Sequence, residues 1–323
     1  MESGFIQTCR ESAEAIRAEL NAGLLAEQAC TSPKYLYDAL GSKLFEAICE
    51  LPEYYPTRTE AAIFEAHLDA IADSIGRGST LIDLGAGNCA KAARLFPALL
   101  PAQYVPIDIS VEHLREAVGH LQQRFPQVDM LGLGMDFSNA LALPDLVRHK
   151  KRLFFYPGSS IGNFTPDEAL VFFRRLREAC GSDGGILIGV DLLKDKASLD
   201  AAYDDALGVT AAFNRNVLSV VNRELGADFE ESWFEHVALW NAEREWIEMH
   251  LLSLRDQVVT VEDLDLQVRF ARGELMRTEI SAKFRPEGVQ RELAEAGMEL
   301  VHFWTDPAGD FALSLARVSR PAG

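Results

Sequence analysis

The stretch LIDLGAGNCAK (residues 81–91) has the makings of a ligand-binding turn: an apolar run through Asp83 and Leu84, then Gly85 and Gly87 with one residue between them, then helix-forming residues. Glycines there let the backbone turn sharply and approach a bound group closely. Asp108 follows Gly87 by twenty-one positions, at the end of YVPID, where an acidic side chain can accept from both hydroxyls of a ribose. Asp136 and Phe137, in MDF after the next apolar run, offer a carboxylate to an adenine amino group and a ring or backbone to lie along the base. All stand at the carboxyl ends of strand-like runs, the side on which open α/β sheets bind ligands. Together they predict a site for an adenosine-containing cofactor. The loop lacks the G-x-G-x-x-G spacing that accommodates a pyrophosphate, and Asn88 and Cys89 stand where a further glycine is often found.

The elements that would position these groups are legible around them. STLIDLG, QYVPID, VDMLGLGMDF, RLFFYPGS and GGILIGVDLL are short apolar runs separated by helix-length stretches, the alternation of a doubly wound parallel sheet. In TPDEALVFFRRLREACG, Thr165 can cap a helix, Pro166 takes its first position, Glu168 closes a capping box and Gly181 lies past the end. TRTE (Thr57 to Glu60) has the same capping-box spacing ahead of Phe64, Leu68, Ile71 and Ile75, which share a helical face ending at Gly76, and the chain before it opens with helical patterns. From about 196 to 283 the alternation gives way to a long helical stretch, YDDALGVTAAFNRNVLSVVNREL, and to strand-like runs in EWIEMHLLSL, LDLQVRF and RTEISAKF, the pattern of an inserted α+β domain. A helix starting at Pro286 and ending at Gly297 then leads into two strands around a Gly/Pro turn.

Composition narrows the partners. With 49 acidic against 31 basic residues and a formal charge of −18, the chain would be repelled by a nucleic-acid backbone or an anionic membrane, so neither is an expected partner. No apolar run is long enough to span a bilayer and the N-terminus lacks a basic segment followed by an apolar one, which predicts a cytoplasmic protein. Cys9, Cys30, Cys49, Cys89 and Cys180 are scattered, and the seven histidines form no metal-binding pair, so no disulfide framework and no metal site are expected.

The pattern of residues 81–87, two apolar residues, Asp, an apolar residue and G-x-G, resembles motif I of S-adenosylmethionine-dependent methyltransferases. Longer stretches resemble one family among them, the histidine Nα-methyltransferases that make hercynine for ergothioneine synthesis: YDALGSKLFEAICELPEYYPTRTE, LGAGNCAK, GSSIGNFTP, DLLKD, YDDALGVTAAFNRNVLSVVNREL, FRPEGV and WTDPAGDF, covering the chain from about residue 34 on. The resemblance implies a class I methyltransferase fold, a Rossmann-like α/β sheet with an inserted α+β substrate domain, residues 59–195 and 284–323 binding S-adenosylmethionine and residues 1–58 and 196–283 the substrate. It implies L-histidine as the small-molecule partner, trimethylated on its α-amine, and gives no reason to expect an oligomer. It adds Lys91 and Tyr37 to the cofactor residues Gly85, Gly87, Asp108, Asp136 and Phe137, and it implies that Tyr54 faces the α-amine while Tyr37 and Asn163 hold the amino-acid head group.

The chemistry of these residues suits the implied roles. A phenol can orient an amine without a full opposing charge, and its ring can face a developing quaternary cation. An Asn amide offers donors and an acceptor to a carboxylate and an amine together. Glu279 and Ser281 in TEISAKF share one face of a strand, so a carboxylate and a hydroxyl can serve the two nitrogens of an imidazole, while Ile280 and Ala282 point the other way. Tyr203 and Met249 match pocket positions of the family, and Tyr55 reads as a packing residue. The reaction implied is in-line attack of the neutral amine on the sulfonium methyl, repeated until the nitrogen is quaternary, with Tyr54 or water accepting the protons. Rival readings are trimethylation of tryptophan or tyrosine, an NAD-dependent oxidoreductase and a non-catalytic S-adenosylmethionine-binding scaffold. Cys89 reads as a buried small residue rather than a reactive thiol.

Overall fold

A computed structural model describes residues 4–7, 13–138 and 140–319; Cys9 lies outside them. The chain divides into two compact units, one formed by Pro56–Leu193 with the N-terminal strand and the residues from Lys283 on, the other by Glu11–Tyr55 and Lys194–Ala282.

In the first unit the apolar runs become the strands of an eight-stranded sheet. Its order is Gly4–Gln7, Asp129–Gly134, Gln103–Asp108, Thr80–Leu84, Arg152–Tyr156, Gly185–Asp191, Phe311–Val318, Met298–Thr305. All neighbours pair in parallel up to Gly185–Asp191, and Phe311–Val318 runs antiparallel to both its neighbours. Successive side chains of a strand point to opposite faces, so Ile82, Phe154 and Ile188 pack on Phe172, Phe173 and Leu176 of the helix Pro166–Cys180. Leu81, Phe155 and Leu187 pack on Ile63, Phe64 and Ile71 of the helix Tyr55–Ile75 on the other side. Because both faces are covered, Thr80–Leu84 and Gly185–Asp191 are buried along their whole lengths. The capping box of Thr165 and Glu168 forms as read, with Pro166 in the first turn and Gly181 after the last, a cap that contributes about 1 kcal/mol.

One expectation is corrected by the structure. TRTE caps no helix, because the helix begins at Tyr55 and Thr57 to Glu60 lie inside it. Pro56 is tolerated in the first turn, where its missing N–H would have had no intrahelical acceptor. The helical patterns ahead of it form Ala13–Leu24 and Ala39–Cys49, and a short strand precedes them unread: Gly4–Gln7 pairs with the sheet edge at Asp129–Gly134. Gly132 makes this possible, since a Cβ there would lie 2.7 Å from the Phe5 ring, which the Arg115 guanidinium covers at 4.1 Å.

The second unit packs the helix Val209–Leu225 against a three-stranded antiparallel sheet, ordered Leu275–Ala282, Trp246–Ser253, Phe234–Asn241. Val217, Leu218 and Val221 meet Ile247, Met249, Leu251 and Met276 in its core. A separate ribbon pairs Gln257–Val261 with Leu266–Phe270. The stretch read as helical from Tyr203 on forms one helix, Val209–Leu225, and a separate helix, Lys196–Tyr203, ends where that stretch begins; between them the Asp205 carboxylate accepts from the amides of Val209 and Thr210 at 3.0 and 2.7 Å to start the second. Gly208, at φ +74°, makes that turn. Among the described residues no helix is long and apolar enough to cross a membrane.

Candidate active site

The glycine loop sits at the carboxyl end of Thr80–Leu84. Gly85 and Gly87 both take positive φ, +66° and +51°, the left-handed region that glycine enters without cost. A Cβ on Gly87 would meet nothing within 4 Å, and one on Gly85 would meet only the Phe137 ring, at 3.9 Å, so the loop borders open space that Phe137 flanks. Asp108 braces it: Oδ2 accepts from the Gly87 amide and Oδ1 from the Ser110 amide, each at 2.9 Å. Burial raises the Asp108 pKa and these amide bonds oppose the rise. A carboxylate holds about four lone pairs, so both oxygens can still accept from ribose hydroxyls. Asp136 Oδ1 accepts from the Ser138 amide and hydroxyl at 2.8 and 2.5 Å, fixing the turn that carries Phe137. Phe137 packs on Tyr156 and Phe172 at 5.8 and 6.0 Å. An open glycine cradle with acidic groups at two neighbouring strand ends fits an adenosyl cofactor, and Gly85, Gly87, Asp108, Asp136 and Phe137 are brought together as the sequence suggested.

Cys89 takes φ +60° at the start of the short helix Ala90–Ala93, a non-glycine residue in the conformation the missing glycine would have served. It is 1% exposed, and burial pushes its thiol up to about 12, which makes it inert. Beneath the loop, Asp83 is buried, accepts from the Tyr104 hydroxyl at 2.7 Å through Oδ2, and keeps Oδ1 without a hydrogen-bond partner. Burial, with the nearby Asp108 charge, raises its pKa from 3.8 to about 7. The folded state therefore holds a proton that the unfolded chain gives up near pH 4. The stability tied to it is complete below that pH and is lost as pH rises through about 7. An Asp83→Asn variant cannot ionise, so its stability relative to the unmodified protein should increase from pH 5 to pH 8 by on the order of a few kcal/mol, read as a difference in melting temperature that grows with pH. A difference in melting temperature that stays flat with pH would show that Asp83 is ionised throughout.

The second unit gathers Tyr37, Tyr54, Tyr203, Met249, Glu279 and Ser281. Tyr37 stands edge-on to Phe45 and Phe213, both at 5.4 Å, and Tyr54 edge-on to Phe45 and Tyr203 at 6.1 and 6.4 Å. The Tyr203 hydroxyl bonds Ser281 Oγ at 2.6 Å. Glu279 pairs across the sheet with Met249, whose side chain is 2% exposed. Burial pushes the Tyr54 phenol well above its usual 10, and the hydroxyls of Tyr203 and Tyr37, the Cys49 thiol and Glu279 push the same way. Asn163, by contrast, belongs to the first unit, in the turn Ser160–Asn163 ahead of the Thr165 cap.

The sequence model of the family described as "Histidine-specific methyltransferase, SAM-dependent" matches residues 16–318. This chain belongs to that family. Similar proteins include the histidine N-alpha-methyltransferase of Mycolicibacterium smegmatis, 47% identical over 94% of this chain and 95% of that one, and its Mycobacterium tuberculosis counterpart, 44% identical over 94% of each. Ergothioneine biosynthesis protein 1 of Neurospora crassa is 32% identical over 88% of this chain, which matches 33% of that longer protein. As in other class I methyltransferases, the sheet of this histidine-specific methyltransferase is a mixed, Rossmann-like one ending in an antiparallel hairpin.

Several residues around the methyltransferase's candidate site escaped the sequence reading. Tyr55 does more than pack: its hydroxyl accepts from Lys194 Nζ at 2.7 Å, which anchors the residue next to Tyr54. Asn214 Nδ2 donates to His236 Nδ1 at 2.8 Å, and His236 Nε2 then donates to the Tyr203 carbonyl at 2.8 Å, a pattern that requires neutral histidine. Burial accordingly lowers the His236 pKa. The Thr278 hydroxyl lies 2.5 Å from Asn214 Oδ1 and 3.1 Å from the Met249 carbonyl, at the bulge just before Glu279. Asn214, His236 and Thr278 thus tie Tyr203 to the strand of Glu279 and Ser281. Glu60, read as part of a cap, is a buried ion-pair partner of Lys91.

Proposed function

We propose that the protein trimethylates the α-amine of L-histidine with S-adenosylmethionine, giving hercynine, the first step of ergothioneine biosynthesis, and that it does so as a cytoplasmic enzyme with neither nucleic-acid nor membrane partners. The observation that carries this reading is the grouping of Tyr54, Tyr203, Glu279 and Ser281 in one unit, where the Tyr54 and Tyr203 rings meet edge-on at 6.4 Å and the Tyr203 hydroxyl bonds Ser281 Oγ at 2.6 Å. In this reading Glu279 accepts one imidazole N–H and Ser281, steered by Tyr203, serves the other ring nitrogen. Met249 closes the pocket. Tyr37 and Asn163 hold the carboxylate and amine of the substrate, and Gly85, Gly87, Lys91, Asp108, Asp136 and Phe137, with Tyr37, hold the cofactor.

The bound cofactor supplies the activated methyl group on a sulfonium. The chain aligns the amine with it, an effect that can contribute roughly 7 to 11 kcal/mol. The Tyr54 phenol, held neutral by its surroundings, accepts an amine N–H through its oxygen, which leaves the lone pair free to face the methyl group, and solvent takes the protons. An amino group with a pKa near 8 needs no strong base to be neutral part of the time. Tyr54→Phe should therefore lower kcat/KM by about ten- to a hundredfold while the ascending limb of the pH–rate profile keeps its midpoint. A midpoint that moves on this substitution would make the phenol a titrating base. The overall reading is tested by mass spectrometry of L-histidine incubated with the protein and S-adenosylmethionine, with tryptophan and tyrosine as competitors. A gain of three methyl groups on histidine alone supports it, and methylation of a competitor alone, or of none, refutes it.

A further inference from the structure

Glu60 is 1% exposed and sits in the second turn of the helix Tyr55–Ile75. Its Oε2 accepts from Lys91 Nζ and its Oε1 from the Gly158 amide, each at 2.7 Å. Two glycines clear the space for this arrangement. A Cβ on Gly189, in the middle of the buried strand Gly185–Asp191, would lie 2.3 Å from Glu60 Oε1. A Cβ on Gly158, at φ +75°, would lie 2.9 Å from Lys91 Nζ. Glycine weakens a strand and is found where something must come close, so the central sheet gives up a side chain to seat a carboxylate. Buried carboxylates are costly unless paired, yet the Lys91 side chain remains 37% exposed. An ammonium has three donors, and one is turned inward onto Glu60.

We infer that Glu60 is a positioning residue for the amino-acid end of the cofactor: it holds the Lys91 ammonium in one place beside the glycine loop, with its remaining donors free to meet the cofactor carboxylate. This rests on the proposed assignment of Lys91 to the cofactor. A lysine stem loses considerable rotamer freedom when it binds a ligand, and a pre-formed pair removes most of that loss beforehand. The opposing effect, repulsion of the cofactor carboxylate by Glu60, is weakened because Glu60 is already neutralised by Lys91 and by the Gly158 amide.

The test is calorimetric binding of S-adenosylhomocysteine and of 5′-methylthioadenosine, which lacks the amino-acid end, to the unmodified protein, Glu60→Gln, Lys91→Met and the double variant. Glu60→Gln and Lys91→Met should each weaken S-adenosylhomocysteine about tenfold, leave 5′-methylthioadenosine within about twofold, and give no further loss when combined. If Lys91→Met weakens S-adenosylhomocysteine but Glu60→Gln leaves it unchanged, tightens it or weakens both ligands equally, Glu60 has no positioning role. If Lys91→Met changes neither ligand, the assignment of Lys91 falls and this inference with it. Glu60→Asp, which keeps the charge but draws the carboxylate back from Lys91, carries the same comparison should Glu60→Gln fail to fold.

Discussion

Exchange of Glu279 for alanine is expected to lower kcat/KM for L-histidine by about two to three orders of magnitude. A hydrogen bond to a charged acceptor contributes about 1.5 to 3 kcal/mol net, and its loss also strands the imidazole N–H in a pocket with little water. Glu279 is 8% exposed and its strand neighbours Thr278 and Ile280 are buried too, so solvent cannot readily replace the carboxylate. The decisive readout is selectivity rather than rate alone. A histidine methylated on the ring nitrogen lacks one N–H, and discrimination against it should collapse in Glu279→Ala. Glu279→Gln, which keeps an acceptor oxygen, should fall between. Binding of S-adenosylhomocysteine should be unaffected in both. A variant that loses turnover on histidine and on its ring-methylated analogue by the same factor would place imidazole selection elsewhere in the second unit.

The second large effect is expected at Asp108. Its carboxylate holds the Gly87 and Ser110 amides at 2.9 Å, so Asp108→Ala removes the acceptor of both and loosens the loop, which remains tied to the strand Gln103–Asp108 by the Gly85 and Ala86 amides on the Ile107 carbonyl. Both amides are half-buried, so each lost bond costs about 1 kcal/mol. Cofactor affinity should fall about a hundredfold or more, because the ribose acceptor and the loop geometry are lost together, and the melting temperature should drop even without ligand. Calorimetry with S-adenosylhomocysteine and thermal denaturation of the ligand-free protein separate the two losses. An unchanged melting temperature with full loss of binding would mean that Asp108 acts on the cofactor alone.

The sheet was legible because each of its inner strands is a contiguous apolar run, and runs buried on both faces need no alternation to be recognised. Gly85, Gly87, Asp108, Asp136 and Phe137 were legible for the same reason, since a strand end fixes where a loop residue will stand. The strand Phe234–Asn241 was missed because its residues are mostly half-buried or exposed and carry no clean period of two. Gly4–Gln7 is too short for any pattern. Glu60 was misread because T-x-x-E spacing also occurs one turn inside a helix, and only Pro56 marks the true start. Tyr203 and Ser281 are 78 positions apart and joined by a single hydroxyl pair, which no local signal encodes. The links through Lys194, His236, Asn214 and Thr278 are of the same long-range kind.

The place of Phe311–Val318 between Gly185–Asp191 and the hairpin partner Met298–Thr305 has a consequence for biosynthesis. On the ribosome, Gly185–Asp191 emerges with one neighbour made and the other not yet translated, while Lys194–Ala282, the larger part of the second unit, is still to be synthesised. At about 5 to 20 residues per second, that edge waits roughly 6 to 24 s for its partner. Its backbone groups are unpaired on one side and its side chains are buried along the whole strand in the finished molecule, a combination prone to wrong pairing between nascent chains. Expression at lower temperature or with added chaperones should therefore raise soluble yield most for variants that weaken Phe311–Val318, and hardly at all for variants confined to the second unit.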